Sequence, residues 1–354
     1  MPQIASTFKI AYHKEKLESY LCNEFIFPVT LELDLTSACN RKCPNCPSTT
    51  NLPSYTLETN FIECLFSCLE GQTKGLLLTG GEPTMAANLP ETLRMARRYG
   101  FVDVVVVSNG TFLDEENVAN ALLTDASAVR LSMYDWTTES SEGLYPTLNR
   151  IETLRSRIDR EDSKLHIGVS ALTSKENANA LPALSQKALS AGAHWIYFHP
   201  LCTKWDTGSP IRVDQRGVLN RIEECQVSQL DGLGVFVFHD RYKESKIEFN
   251  GYHATHFLLV VGADGMNYLG AEVKYHPQHI IADVAGNWSK DFLWEKQRLQ
   301  RIKAVNSEIY PAIGSRHRGV LYNDLIEQLM QLGQGTSDKW FSFLKDEFLY
   351  PHIL

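Results

Sequence analysis

The stretch Val29-Thr30-Leu31-Glu32-Leu33-Asp34-Leu35-Thr36 runs directly into Ser37-Ala38-Cys39-Asn40-Arg41-Lys42-Cys43-Pro44-Asn45-Cys46-Pro47. Its first eight residues read as a strand, and the loop that leaves the strand carries three cysteines in C-x3-C-x2-C spacing. Three thiolates on one short loop grip three irons of a cubane, whereas a closed electron-transfer cluster takes four cysteines. One iron then stays open, and an open metal position separates a reacting centre from a structural one, as it does among zinc sites. The competing reading is a zinc site, which requires a fourth Cys or His close by. The nearest downstream cysteine, Cys64, sits in a helix-like stretch.

Outward from this loop, strand-like and helix-like blocks alternate between residues 28 and 202. Strands are expected at Val29 to Thr36, Gly75 to Thr79, Asp103 to Ser108, Val129 to Met133, Leu165 to Ser170 and Trp195 to His199. Helices fit between them at Leu57 to Leu69, Leu89 to Tyr99, Asp114 to Leu123, Glu142 to Ile158 and Lys175 to Ser190. A further helix-like block, Val213 to Gln229, follows. Such alternation is the pattern of parallel strands joined by crossover helices. It predicts an α/β fold, a partial (β/α)6 TIM-like barrel with function at the C-terminal ends of its strands. Residues 1–27 read as an N-terminal helical extension, with a helix over His13 to Cys22, and residues 28–230 as the barrel. Residues 231–354, where the rhythm stops, read as a smaller α+β domain.

At 354 residues and 44% hydrophobic the chain can bury a sizeable core. A formal net charge of -8 argues against broad binding to a phosphate backbone, so nucleic acid is not an expected partner. The N-terminus lacks the pattern of a secretory signal and no apolar run reaches bilayer-spanning length, so neither export nor a membrane is expected. Eight cysteines without a regular pairing pattern fit a reducing compartment, and a cytoplasmic location is expected.

The second strand ends in Leu78-Thr79-Gly80-Gly81-Glu82-Pro83, the third in Val107-Ser108-Asn109-Gly110-Thr111 and the fourth in Ser132-Met133-Tyr134-Asp135. With the cysteine loop, and in this order, they resemble the radical S-adenosylmethionine superfamily. The resemblance implies that Cys39, Cys43 and Cys46 hold a [4Fe-4S] cluster whose open iron is chelated by S-adenosylmethionine. It implies that a flavodoxin or ferredoxin reduces the cluster and that cleavage yields a 5'-deoxyadenosyl radical. Gly80, Gly81 and Glu82 would grip the methionine amino group, and Ser108 and Asn109 the ribose or carboxylate. Ser132, Ser170 and His199 would stand near the cofactor, with a satisfied core histidine as the competing reading of His199.

Cys202 at the exit of strand six is a candidate hydrogen-atom donor, and Cys225 a weaker one. Cys22, Cys64 and Cys68 read as buried helix-face residues. Val260 to Gly270 is similar to the hairpin of SPASM and twitch extensions, but Gly270 stands where a cluster cysteine is expected. Ser315 to Asn323 is similar to their closing segment, again without cysteine. Since no cysteine follows Cys225, thiolates there cannot hold an auxiliary cluster. Epimerisation, elimination, decarboxylation or rearrangement of a polar small molecule is the expected chemistry, on a sugar, aminoglycoside or nucleoside derivative. Two alternatives stand beside it: a ribosomal-peptide modifying enzyme, and a non-catalytic S-adenosylmethionine-binding or scaffold protein. His253 with His256 and His276 with His279 read as local contacts rather than a metal site, while Lys274, Arg316, His317 and Arg318 could meet a phosphate or carboxylate. Asp240, Arg241 and Tyr242 are further pocket candidates.

Overall fold

The computed structural model describes residues 6–43, 46, 53–134, 144–203, 211–227, 234–242, 249–285, 289–305, 318–332 and 348–354. Strands β1 (Thr30–Thr36), β2 (Gly75–Gly80), β3 (Asp103–Ser108), β4 (Ala128–Ser132), β5 (His166–Thr173) and β6 (Trp195–Pro200) pair in chain order, all in parallel. Helix α1 (Lys14–Leu21) precedes them. Helices α2 (Thr59–Leu69), α3 (Leu89–Arg98), α4 (Glu116–Asp125), α5 (Tyr145–Glu161) and α6 (Leu181–Ser190) make the crossovers. The six strands are those expected, with β5 running on to Thr173, but α6 begins at Leu181 rather than Lys175, and the start of the helix expected from Glu142 lies outside the described residues.

The sheet is wider than the six strands legible locally. After the small hairpin β7 (Cys202–Thr203) and β8 (Ile211–Arg212) and helix α7 (Val218–Val227), strand β9 (Gly234–Val237) joins β6 in parallel. Strand β10 (Leu258–Val261) pairs in parallel with β1 at the opposite edge, Thr30 facing Leu258. Strands β11 (Met266–Tyr268) and β12 (Ile280–Asp283) continue that edge antiparallel. The order is β12-β11-β10-β1-β2-β3-β4-β5-β6-β9, so one sheet runs across residue 230. Helices α8 (Lys296–Lys303) and α9 (Arg318–Leu332) follow. The hairpin of β10 and β11 turns at Asp264-Gly265, where Gly265 adopts φ +77°.

Along β1 the two-residue period sorts side chains. Leu31, Leu33 and Leu35 enter the main apolar core beneath the helices, while Glu32 and Asp34 point to the barrel interior, buried on that side. Across the interior, Leu77 of β2, Val105 of β3 and Ala128 of β4 form a small apolar patch with Ile353.

That contact marks how the barrel is closed below. Thr30 Oγ1 donates to the His352 carbonyl (2.6 Å) and accepts from the Leu354 N–H (3.0 Å), and Asp103 Oδ2 accepts from the His352 N–H (2.8 Å). Thr30 and Asp103 open β1 and β3, so residues 350–354 seat at the N-terminal ends of the strands. A side chain at Gly75 would put its Cβ 1.8 Å from the His352 carbonyl oxygen, which explains glycine there. The N-terminal extension clamps the same segment: His13 Nε2 donates to the Pro351 carbonyl (2.9 Å) and Lys9 Nζ to that of Leu349 (3.3 Å).

Candidate active site at the carboxyl ends of the strands

The exits of β1 and β2 are bound backbone to backbone. The Gly81 N–H donates to Thr36 O (2.7 Å) and the Glu82 N–H to Ala38 O (2.8 Å). A Cβ on Gly81 would lie 2.2 Å from Ala38 O, and one on Gly80, at φ +127°, 2.2 Å from Thr36 O. The two glycines therefore let the stem of the cysteine loop sit against the β2 exit.

Beyond this stem, Cys39, Cys43 and Cys46 line one cavity together with Gly80, Gly81, Ser108 and Asn109. Cys43 O accepts from the Cys46 N–H (3.2 Å), and Cys39 Sγ accepts from the Arg41 N–H (3.4 Å) and Asn109 Nδ2 (3.9 Å). Burial lifts the Cys39 thiol above its ordinary range, against the pull of the Arg41 N–H. A bound metal would reverse this, since it deprotonates the thiol it binds. Among the described residues no three His, Cys, Asp or Glu side chains converge on a single ion. A cubane offers each thiol its own iron. Three half-buried thiols on the rim of one cavity fit that demand rather than a single-ion site.

Glu82 is fully buried and its carboxylate is saturated by protein donors. Oε1 accepts from the Thr84 N–H (3.1 Å), Thr84 Oγ1 (2.5 Å) and Ser108 Oγ (2.8 Å), and Oε2 from the Asn109 N–H (2.6 Å). It ties the β2 exit to the β3 exit and thereby aims Asn109 at the cysteine loop. Its neighbours Gly80 and Gly81, not its own side chain, reach the cavity wall.

Ser132 and His199 also line the cavity. Ser170 lies behind His199, its Oγ 2.8 Å from Nε2. The imidazole stacks on Tyr197 at 5.4 Å and meets Tyr134 edge-on at 6.1 Å, so its ring plane is held on three sides. The Cys202 backbone stands in β7, while its side chain lies outside the described residues, as do Asp135, the side chain of Asp240, Ser315 to His317 and the side chain of Arg318. Cys225 is no neighbour of the cavity: it is buried in the helical layer and its thiol donates to Arg221 O (3.0 Å). Contrary to their expected burial, Cys22 is exposed just past the end of α1, and Cys64 and Cys68 are only half-buried on α2.

Lys274, expected to meet an anion, is already answered. Its ammonium lies 2.6 Å from Asp34 Oδ1 and 3.0 Å from Glu32 Oε1, and Tyr275 donates to Asp34 Oδ2 at 2.7 Å. Burial alone would discharge Lys274, but the two carboxylates outweigh it and hold the ammonium above its ordinary range. Burial lifts the Asp34 carboxyl above its ordinary range, and Lys274 only partly offsets this. His253 is held by Tyr20 (2.8 Å) and Glu327 (3.4 Å).

The family model described as Radical SAM superfamily matches residues 33–159, the span from β1 into α5. The chain is 31% identical over 99 residues to a 7,8-dihydro-6-hydroxymethylpterin dimethyltransferase of Methanocaldococcus jannaschii, covering 27% of this chain and 20% of that protein. It is 26% identical over 162 residues to an Fe-coproporphyrin III synthase of Methanosarcina barkeri, covering 43% and 38%. The matches thus span less than two-fifths of these relatives. Among solved structures, Streptococcus suis SuiB bound to S-adenosylmethionine superposes with a TM-score of 0.63 at 14% identity, over 84% of this chain and 73% of that one. This likeness concerns the fold. The family match ends before β10, so it does not bear on the SPASM and twitch resemblance.

Proposed function

We propose that this chain, whose residues 33–159 match the radical S-adenosylmethionine superfamily, generates a 5'-deoxyadenosyl radical to abstract hydrogen from a polar small molecule. The observation that carries the reading is the convergence of the Cys39, Cys43 and Cys46 thiols with Gly80 and Gly81 on one cavity at the strand exits. The superfamily uses a [4Fe-4S] cluster and S-adenosylmethionine; when bound, they supply a one-electron cleavage of the sulfonium to methionine and the radical.

The remaining work falls to the protein. Asn109, placed by Glu82, donates toward Cys39 Sγ and lines the cavity. The backbone of Gly80 and Gly81 offers close approach to an ammonium, and Ser132 and His199 offer polar contacts from the same cavity lining. Residues 350–354 cover the strand-start end of the barrel. A closed floor and charged interior favour a small polar substrate over an extended chain. The absence of cysteine beyond Cys225 favours one cluster, hence a reaction that returns its electron or hydrogen atom within the site.

The test is anaerobic reconstitution, incubation with S-adenosylmethionine and dithionite, and detection of 5'-deoxyadenosine by mass spectrometry. Product from the wild type, absent from a folded Cys43→Ala protein, supports the reading. Product from Cys43→Ala would overturn it. Iron analysis should give roughly four irons per chain, one cubane; about eight would defeat the single-cluster expectation.

A further inference from the structure

We propose that Arg130 and Arg241 bind an oxyanion of the substrate, a carboxylate or a phosphate, inside the barrel cavity. This rests on the reading of that cavity as the substrate chamber. Arg130 occupies the middle of β4, on the same face as Ala128 and Ser132, and so projects into the barrel rather than toward the helices. Arg241 follows β9, is 8% exposed, and its guanidinium lies 5.3 Å from the centre of the Phe238 ring. That stacking limits its freedom before any ligand arrives. Both residues line the cavity that the cysteine thiols line, one from β4 and the other from beyond β9 at the far edge of the parallel strands.

The choice of guanidinium is informative. A planar fork matches the two oxygens of a carboxylate or phosphate, and in a desolvated chamber such a charge-assisted contact is stronger than at the surface. Lys274, another cation of the cavity lining, is engaged by Glu32 and Asp34. Tyr134, Ser132 and His199 line the same cavity and would contact the remainder of the substrate.

The experiment is calorimetric titration of the full-length, reconstituted protein with inorganic phosphate and, separately, with succinate, using glucose as a neutral control. Saturable binding of at least one anion and none of glucose is expected. Arg130→Gln and Arg241→Gln should each weaken that binding at least tenfold, while Arg216→Gln, an exposed residue paired with Asp214, should leave it unchanged. Phosphate binding assigns a phosphorylated substrate and succinate binding a carboxylated one. Binding of neither anion to the wild type, or equal affinity in both glutamine variants, overturns the subsite. If a glutamine variant fails to fold, Arg130→Lys keeps the charge without the fork, and undiminished affinity there counts against bidentate recognition. Formation of 5'-deoxyadenosine is read independently, so its loss with intact anion binding would reject the radical reading alone.

Discussion

Lys274, on the segment beyond β11, places its ammonium 2.6 Å from the Asp34 carboxylate in β1, deep inside the barrel. With Glu32 at 3.0 Å and Tyr275 on the second Asp34 oxygen, this cluster pins the β11 to β12 connection to the first strand. Lys274→Met would leave two buried carboxylates without their cation. A loss of about 3–5 kcal/mol of unfolding free energy is expected by the cost of breaking a buried pair. Denaturant unfolding checks this, and a change under about 1 kcal/mol would show that water or rearrangement replaces the ammonium.

Glu82 links the exits of β2 and β3 through four accepted hydrogen bonds. Glu82→Gln substitutes a donor at one carboxylate oxygen and so confronts an N–H or hydroxyl with an N–H. The expected cost is about 1–3 kcal/mol of stability, together with weaker S-adenosylmethionine binding as Asn109 loses its anchor. Equilibrium dialysis of the reconstituted variant measures the second effect. Unaltered affinity would confine Glu82 to stability.

Gly81→Ala forces a Cβ to within 2.2 Å of the Ala38 carbonyl and 2.5 Å of that of Ser37. The backbone must shift, and the cysteine loop shifts with it. Iron incorporation should fall well below that of the wild type while the far-ultraviolet circular dichroism stays the same. Full iron loading would mean that the stem tolerates the displacement.

Removing the Thr30 hydroxyl tests the barrel floor. It donates to His352 and accepts from Leu354, so Thr30→Val leaves a buried carbonyl and a buried N–H unanswered at a cost of about 1–3 kcal/mol. With the floor loosened, 5'-deoxyadenosine formation in the absence of substrate should rise relative to the wild type. A rate that stays level would separate the floor from solvent exclusion.

Acid sensitivity follows from buried imidazoles. Burial draws His13 from 6.5 down to about 4 and His256 down to about 3. Between pH 6.5 and these values the unfolded chain binds protons that the folded chain refuses, so stability is full above pH 6.5 and declines as the pH falls. Each histidine contributes at most ~1.4 kcal/mol per pH unit. His13→Asn should flatten the decline between pH 6.5 and 4 in thermal unfolding. An unchanged slope would assign the acid sensitivity to other groups.

Much of the centre was readable along the chain because its signals are local. The C-x3-C-x2-C loop, the Gly80-Gly81 turn and Ser108-Asn109 each follow a strand whose apolar pattern marks it, and parallel strands bring their exits to one end. Glu82 was legible as a motif residue, but its saturation by Ser108, Thr84 and Asn109 depends on two loops meeting. Arg130 carried no local signal beyond a charge inside a strand. Lys274 read as a cation for a ligand's phosphate or carboxylate because nothing near it in sequence discloses Glu32 and Asp34.

Local periodicity and loop chemistry by themselves determined the six βα units, the cysteine triad and the end of the barrel at which chemistry collects, since each depends on residues within a few positions of one another. Tertiary structure alone decided the two added parallel strands, the Lys274–Asp34–Glu32 cluster, the arginines of the cavity wall and the floor of residues 350–354. These come from contacts between segments far apart in the chain, such as Thr30 with Leu258 in the sheet and with Leu354 below it. Their partners are chosen by burial and hydrogen-bond satisfaction in three dimensions, which no short window of sequence contains.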